Sequence, residues 1–337
     1  MPKLISEVSK AVDSLIRGKL VAFPTETVYG LGGDATNEEA VRRIYKVKGR
    51  PINRPLILHV PDVATVKKVV LNWATNESKL AGRFWPGPLT LVLKNGGLVS
   101  ESASAGYKTV AVRIPSHPFA LAMLESFSKL GSGIVAAPSA NRFSFVSTTN
   151  AKDVEMSLRN HLDKSDMIVS SDSRVECKFG LESTIVDCSN DVPTILRVGV
   201  IKRSEIESCL GIQVRISQVE GKRQNSPGSS SIHYSPRTAF RLISKSEIEK
   251  NLLDLCEEGK TFLWCFENPA NTHQNLTAEV APSCPKEYGQ QLYSKLNSLD
   301  REQLALVLFE KPPISEDWNA ICDRLEKAKN RFSAEKF

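Results

Sequence analysis

Small hydroxyl, amide and basic side chains recur where the apolar stretches of this sequence end. These residues are Thr25, Thr27, Lys48, Arg50, Arg113, Ser139, Asn141, Ser183, Thr184 and Arg197. In sheets covered by helices, ligands bind at the ends of strands. Several cations beside hydroxyl and amide groups, with no adjacent cysteine nucleophile or histidine pair, favour a site for a polyanion and a small polar molecule. Such a site would act by positioning and charge neutralisation, as in phosphoryl or nucleotidyl transfer.

A competing interpretation rests on the stretch FPTETVYGLGGDA, residues 23–35. Its Gly30, Gly32 and Ala35 have the G-x-G-x-x-A spacing of a dinucleotide-binding turn. That motif needs an acidic residue about twenty positions further on to hold the ribose. The corresponding zone, KGRPINRP, is basic. We therefore predict that these glycines serve a tight turn and packing instead of a nicotinamide cofactor.

The residues that could do chemistry lie between alternating helical and strand-like segments. Residues 6–18 predict a helix with Ser6 as N-cap and Gly18 as C-cap, and Asn37 is expected to cap a second helix. Strand-like segments include KLVAF, PLILHV, LTLVLK, TVAVRIP, GIVAAPSA, MIVSSD, STIVDC and TILRVG. So many strands in the first two hundred residues predict a large mixed sheet with helices packed against it.

The segment QVEGKRQNSPGSSSIHYSPR, residues 218–237, breaks this pattern. It is polar, rich in serine, glycine and proline, and has neither the helical nor the strand period, so it is a linker candidate. Beyond it, strands alternate with helices once more, which predicts a small parallel βαβ domain.

Composition limits the class of protein. The 337 residues suggest two domains, and 41% hydrophobic residues suffice for real cores. The seven cysteines form no C-x-x-C pair, which argues against a disulfide scaffold or a zinc ribbon and favours a reducing compartment. No targeting segment or membrane-length apolar run is present, so we expect a cytoplasmic protein. The net charge of +6 is a weak indication of anionic partners.

Seven segments together resemble a known family. They are FPTETVYGLGGDA, KGRPINRPLILHV, FWPGPLTLVL, VAVRIPSHP, APSAN, ESTIVDC and ILRVG. In order and approximate spacing they are similar to the signatures of the threonylcarbamoyl-adenylate synthases. The resemblance implies an α/β fold: a YrdC-like twisted mixed sheet with flanking helices, followed by a small Rossmann-like βαβ domain. It further implies a YrdC-like catalytic domain over 1–215, a linker or lid over 216–237 and a small C-terminal α/β domain over 238–337.

The activity that the resemblance implies joins L-threonine, bicarbonate and ATP into threonylcarbamoyl-AMP and releases pyrophosphate. Mg²⁺ would come with the ATP, without a metal site of the protein's own. Other proteins, the downstream tRNA threonylcarbamoyl transferase machinery, would then move the group onto the adenosine beside the anticodon in tRNAs that read codons beginning with A. The only RNA contact expected is a weak one, and a membrane partner is not expected.

Residue roles carry over by position. Lys48 and Arg50 match catalytic residues that face the phosphates. L-threonine contacts fall on Thr27, His59, Arg113, Ser139 and Ser183. ATP contacts fall on Arg50, Arg54, Thr109, Asn141, Thr149, Arg197 and Tyr234. The chain departs from the family at Arg54, where asparagine is frequent, and at Ser229–Ser231, where bulkier or basic residues are usual. Cys177 is interpreted as an incidental loop thiol.

Two other functions compete with the synthase. A non-catalytic RNA-binding module could use the basic concave face of the same fold, but it would not need hydroxyl and amide groups in an amino-acid pocket, and aromatic residues make up only 7% of the chain without clustering. A carbamoyl-transfer maturation factor, in which the fold also occurs, would carry zinc-finger cysteine pairs, which this sequence lacks.

Overall fold

The computed structural model describes residues 2–170, 177–217, 233–257 and 259–334. The described chain forms two compact units. The first comprises the described parts of Met1–Phe143 and Ser147–Ser229, and the second those of Ser144–Val146 and Ser230–Phe337. Most of the predicted lid, residues 218–232 with Ser229–Ser231, lies outside the described residues.

The first unit is built on one large mixed sheet. Its strands are β1 Lys3–Ile5, β2 Val21–Phe23, β3 Gly30–Asp34, β4 Ile57–His59, β5 Leu89–Lys94, β6 Thr109–Arg113, β7 Val135–Ala136, β8 Met167–Val169, β9 Thr184–Asp187, β10 Thr194–Arg197 and β11 Arg215–Ile216. Within the described residues their order is β1-β8-β2-β3-β7-β4-β6-β5-β9-β10-β11. The β4/β6 and β5/β9 pairs are parallel, whereas the β5/β6 and β9/β10 pairs are antiparallel. The predicted mixed sheet with flanking helices is confirmed.

The helices of this unit lie between the strands along the chain. They are α1 Val8–Ile16, α2 Glu38–Lys48, α3 Val63–Val69, α4 Thr75–Phe84, α5 Glu101–Ser104, α6 Pro118–Leu130, α7 Ala151–Leu158 and α8 Arg203–Leu210. As predicted, the Asn37 side chain caps α2 by accepting a hydrogen bond from the Ala40 N–H. The predicted Ser6 cap of α1 is wrong by one residue: Glu7 occupies the cap position, and its side chain makes no capping hydrogen bond. Gly18 likewise follows the C-cap, which is Arg17.

The two faces of the central strands carry different side chains because successive residues of a strand point to opposite sides. Leu58, Leu91, Val112 and Val186 belong to the main hydrophobic core. The alternate residues Ile57, Val92, Ala111 and Ile185 form a separate, small apolar cluster on the opposite face. His59, Thr109 and Arg113 lie two residues from members of this small cluster and therefore share its face.

The glycines of residues 23–35 do not form the predicted turn. Gly30, Gly32 and Gly33 lie in β3, and none of them is among the residues with positive φ. A Cβ at Gly32 would lie 2.7 Å from a ring carbon of Phe23 and 2.7 Å from Val135 Cγ1. The turn prediction is therefore wrong. These glycines lie in a strand, where the absence of a side chain leaves room for the side chains of neighbouring residues.

The predicted strand over Gly133–Ala140 is shorter than expected. Only Val135–Ala136 pairs as β7. The following residues stay next to β3 through single contacts, in which Leu31 N donates to the Pro138 carbonyl and Ser139 bridges Gly30. Because proline has no N–H, it interrupts the ladder at this point.

The second unit has a four-stranded parallel sheet. Along the chain its elements are β12 Phe240–Ile243, α9 Lys245–Glu257, β13 Thr261–Cys265, β14 Leu276–Val280, α10 Pro285–Leu299, β15 Leu306–Glu310, a 3-10 turn Glu316–Trp318 and α11 Asn319–Ala334. The strand order within the described residues is β12-β15-β13-β14, with every pair parallel. The predicted βαβ domain is confirmed, and β14 is an additional strand. Among the described residues, no helix is long and apolar enough to cross a membrane.

Candidate functional site

A row of polar residues crosses the centre of the large sheet. His59 at the end of β4 is the register partner of Arg113 at the end of β6. Leu91 pairs with Val112, so extending the β5/β6 register by one residue places Thr90 opposite Arg113. The Thr90 hydroxyl lies 2.7 Å from that of Ser183, the residue before β9. Four neighbouring strands thus bring predicted threonine-binding residues together on one face.

Arg113 is buried, with 3% of its surface exposed, and three neighbouring groups hold its guanidinium. Its Nε donates to the carbonyl of Gly87 at 3.2 Å, and Nη1 donates to the Thr27 hydroxyl at 2.9 Å. Its Nη2 lies 2.6 Å from a carboxylate oxygen of Glu26. A planar guanidinium fixed in this way is suited to receiving a carboxylate in one orientation.

Thr27 comes from the connection that follows β2. The hydroxyl of Thr25 accepts from the backbone N–H of Thr27 at 3.2 Å and donates to the Val28 carbonyl at 2.6 Å. The two threonine hydroxyls are 2.8 Å apart. These local bonds form a turn that presents the Thr27 hydroxyl to Arg113.

His59 is neutral at physiological pH. Burial, reinforced by the positive charge of Arg113, lowers the pKa of His59 to about 3. Nδ1 lies 3.3 Å from the Ile57 carbonyl, which can only accept, so Nδ1 carries the proton and Nε2 is left as an acceptor. The ring of Phe23 meets the imidazole edge-on, with 6.1 Å between the ring centroids. The histidine can therefore accept a hydrogen bond from a hydroxyl without adding charge.

Arg197 reaches the same face through a β-bulge. Ile195 pairs with Val186 and belongs to the main core, whereas Arg197 pairs with Ile185, and the register shifts between Ile195 and Arg197. In a regular strand, residues two apart share a face, so the bulge turns Arg197 to the site side. Its guanidinium donates to the Ser183 carbonyl and hydroxyl, each at 3.0 Å.

A basic cluster follows α2. Lys48 is 2% exposed, and its ammonium group donates to the backbone carbonyls of Ser139, at 2.5 Å, and Asn141. Burial, reinforced by the charges of Arg50 and Arg142, lowers the pKa of Lys48 well below its usual range. Gly49, with φ of 63°, ends the helix and turns the chain toward Arg50.

The guanidinium groups of Arg50 and Arg54 both lie over the ring of Phe143, at 5.9 and 5.3 Å from its centroid. Arg50 also donates to the carbonyls of Arg54 and Pro55. Burial lowers the pKa of Arg54. Packing on an aromatic ring and on carbonyls holds these cations together as a positively charged surface, which is the kind of surface that attracts polyanions.

Ser139 and Asn141 lie next to the basic cluster of Lys48 and Arg50 and next to strand β3. Lys48 donates to their carbonyls. The segment also lies beside the start of β3, since Ala140 N donates to the carbonyl of Tyr29, the residue before that strand. The Asn141 amide donates to the Arg142 carbonyl at 2.8 Å. Thr149 is buried directly before Asn150, the N-cap of α7.

Thr109 stands apart from Arg113 on the same strand. It is half-buried at the opposite end of β6, where it pairs with Lys94. Four residues of strand separate the two by roughly 13 Å. Because residues four apart share a face, both line the same side of the sheet.

Tyr234 belongs to the second unit. It is 1% exposed, has φ of 62°, and packs with its ring 5.7 Å from that of Tyr293. The Arg324 guanidinium lies 5.3 Å from its ring centroid, and the His233 ring lies at 4.0 Å. These contacts fix the end of the linker; the predicted nucleotide contact of Tyr234 stays a prediction.

Sequence reasoning missed two residues of the site, Glu26 and Thr90. Glu26 sits between two threonines, three residues after the buried strand β2, and a carboxylate in such a position is a signal of a buried partner. Thr90 interrupts the apolar strand β5 and is fully buried. Nothing in the sequence around it indicates its hydrogen bond with Ser183.

The fold and these residues match those of a known class of α/β enzymes. A family profile described as Telomere recombination (Sua5_yciO_yrdC) matches residues 13–199, and one described as threonylcarbamoyl-AMP synthase, C-terminal domain (Sua5_C), matches residues 201–329. The chain therefore belongs to the family of two-domain threonylcarbamoyl-AMP synthases.

Individual relatives agree over almost the whole length. The threonylcarbamoyl-AMP synthase of Bacillus subtilis is 32% identical, with 96% of this chain and 92% of the relative covered. That of Pyrococcus abyssi is 34% identical over 92% and 90%. The crystal structure of P. abyssi Sua5 complexed with L-threonine matches with a TM-score of 0.83 and 30% identity, covering 98% of each chain.

Proposed function

We propose that the chain synthesises threonylcarbamoyl-AMP with the row of residues around Arg113 holding L-threonine and the basic cluster around Arg50 holding ATP. The chain is an enzyme of the nucleotidyltransferase type, with threonine and ATP as substrates. The observation that carries the residue assignment is the convergence of His59, Arg113 and Ser183 on one sheet face.

In the threonine subsite, Arg113 pairs with the α-carboxylate, because its guanidinium is already oriented by Thr27 and the Gly87 carbonyl. His59 accepts from the threonine hydroxyl through Nε2. Thr27, Ser139 and Ser183 complete the polar contacts. A protonated His59 would repel the guanidinium of Arg113 beside it. Because its lowered pKa keeps His59 neutral, it adds no positive charge to this end of the subsite, which suits a zwitterion.

In the ATP subsite, Arg50 stabilises the negative charge that develops as a carboxylate attacks the α-phosphate and pyrophosphate leaves. Lys48 adds charge and holds the Ser139–Asn141 carbonyls in place. Nucleotide contacts are assigned to Arg54, Thr109, Asn141, Thr149 and Arg197, and to Tyr234.

The chemistry requires a carboxylated amine. Bicarbonate supplies the carbon, so that L-threonine, bicarbonate and ATP give threonylcarbamoyl-AMP, pyrophosphate and water. Mg²⁺ arrives coordinated by the ATP phosphates. Among the described residues, no group of three or more His, Cys, Asp or Glu side chains is placed to hold an ion.

The product is a reactive mixed anhydride, so a partner must accept it. We assign that role to the downstream tRNA threonylcarbamoyl transferase machinery and place the enzyme in the cytoplasm, with any contact to RNA weak. The RNA-binding alternative is not favoured, because relatives matched over more than nine-tenths of the chain are named synthases.

The function is tested by incubating the protein with L-threonine, bicarbonate, Mg²⁺ and α-labelled ATP and resolving the labelled products. The expected result is a labelled mixed adenylate whose formation needs both threonine and bicarbonate. Pyrophosphate release that is indifferent to threonine and bicarbonate would overturn the proposal.

A further inference from the structure

The carboxylate of Glu26 is buried beside the guanidinium of Arg113, with which it forms an ion pair. The residue is 2% exposed, and one oxygen lies 2.6 Å from Arg113 Nη2. Neither carboxylate oxygen has a hydrogen-bond partner of good geometry among the described residues, so the 2.6 Å contact with Arg113 counts as an ion pair only. A buried carboxylate oxygen without a donor is costly, so its retention calls for a donor supplied from elsewhere.

Charge balance indicates what kind of donor this is. Glu26 and Arg113 together carry no net charge, and the adjacent His59 is neutral because of its lowered pKa. A lone carboxylate bound to Arg113 would place a second negative charge beside that of Glu26 in a region of low dielectric. An amino acid brings a carboxylate and an ammonium group together, and each can meet the opposite charge of the buried pair.

We infer that Glu26 determines specificity for the amino acid by accepting a hydrogen bond from its α-ammonium group while Arg113 binds its α-carboxylate. The inference rests on the proposed function of Arg113 as the carboxylate ligand. The short connection 24–29 places Glu26 next to Thr27, so the donor would lie within one residue of a predicted threonine contact.

A purely structural role would give a different pattern. If Glu26 only held the guanidinium in place, its loss would weaken every ligand that uses Arg113, whether or not that ligand has an amino group. If it also recognises the ammonium group, its loss penalises amino acids alone. Two ligands that differ by this group therefore separate the two roles.

The test is calorimetric titration of the full chain with L-threonine and with (R)-3-hydroxybutyrate, which lacks the α-amino group. Wild type should prefer L-threonine by at least about thirtyfold, the effect expected of a buried charged contact. Glu26→Gln should lose most of that preference, with affinity for L-threonine falling by a similar factor and affinity for the hydroxy acid changing much less.

Glu77→Gln is the matched control, since Glu77 is a buried glutamate of the same unit outside the proposed site, and it should keep the wild-type preference. Equal losses for both ligands in Glu26→Gln would overturn the inference while leaving the proposed function intact. Wild type that binds no L-threonine would overturn both. Should Glu26→Gln not fold, Glu26→Asp decides: the retracted carboxylate should cost L-threonine more affinity than the hydroxy acid, and equal costs contradict the inference.

Discussion

Arg197 binds Ser183 twice, once through the backbone carbonyl and once through the hydroxyl, with both distances at 3.0 Å. Ser183 is a predicted threonine ligand and Arg197 a predicted ATP ligand. The two substrates would therefore meet side chains that already share hydrogen bonds, so a change at one residue should be felt by the substrate of the other.

Removing the Ser183 hydroxyl should slow synthesis strongly. Ser183→Ala removes the hydroxyl to which both Thr90 and Arg197 are hydrogen-bonded. We expect kcat/KM to fall at least about tenfold, or about 1.4 kcal/mol of transition-state stabilisation, for threonine and ATP alike. Steady-state rates with each substrate varied in turn measure this. Ser128→Ala, in an exposed position of α6, should behave as wild type; a wild-type rate in Ser183→Ala would show that the site is misplaced.

Arg50 should matter for the chemical step itself. Arg50→Ala is expected to lower the rate of labelled adenylate formation at least about tenfold, because the leaving pyrophosphate loses a cation. Arg42→Ala, on the preceding helix α2, is the control: the ion pair of Arg42 with Glu38 is exposed and contributes little. Equal rates for the two variants would contradict the assignment of Arg50.

The buried His59 predicts a pH-dependent stability. Its pKa is about 3 in the folded protein, against an ordinary value of about 6.5, so below pH 6.5 only the unfolded chain takes up the proton. The free energy of unfolding should therefore fall with decreasing pH between these two values, by up to about 1.4 kcal/mol per unit from this group. Urea unfolding of wild type and His59→Gln at about pH 7, 5.5 and 4.5 measures the difference in slope. Parallel profiles would mean that His59 is not held neutral.

Gly32 should resist substitution. Gly32→Ala places a methyl group 2.7 Å from both Phe23 and Val135, and such overpacking costs about 1–3 kcal/mol. Gly82→Ala is the matched control within helix α4: beyond its own helix backbone and chain neighbours, no atom of the described residues lies within 4 Å of the added carbon, so we expect stabilisation of up to about 1 kcal/mol. Thermal or urea unfolding of both variants tests the contrast, which a destabilised Gly82→Ala or a neutral Gly32→Ala would contradict.

Much of the fold was predictable because local signals are strong where hydrophobic periods are long. Strand β5 was predicted with its observed bounds, Leu89–Lys94, and the Asn37 cap is present. Glycines were misjudged: Gly30 and Gly32 look like turn residues in sequence, and the ring of Phe23 and the side chains of Ala137 and Val135, brought there by folding, explain them as strand residues. Strand β14 was missed because it is a mostly exposed edge strand, with little apolar periodicity.

The site was predictable as a set of residue types but not as an arrangement. The motifs nominated His59 and Arg113, yet their pairing comes from a strand register that no local pattern encodes. Glu26 was overlooked because its meaning depends on a guanidinium 87 positions away, and buried charge is invisible until both partners are placed.

The bulge in β10 makes the number of residues in this strand as important as their identity. At its present length the strand depends on the bulge: in a regular strand Ile195 and Arg197, two residues apart, would share a face, and Arg197 would point into the hydrocarbon of the main core. Substitutions at Leu196 leave that length intact. This short stretch should therefore tolerate changes of side chain at Leu196 across related sequences as long as the bulge is kept.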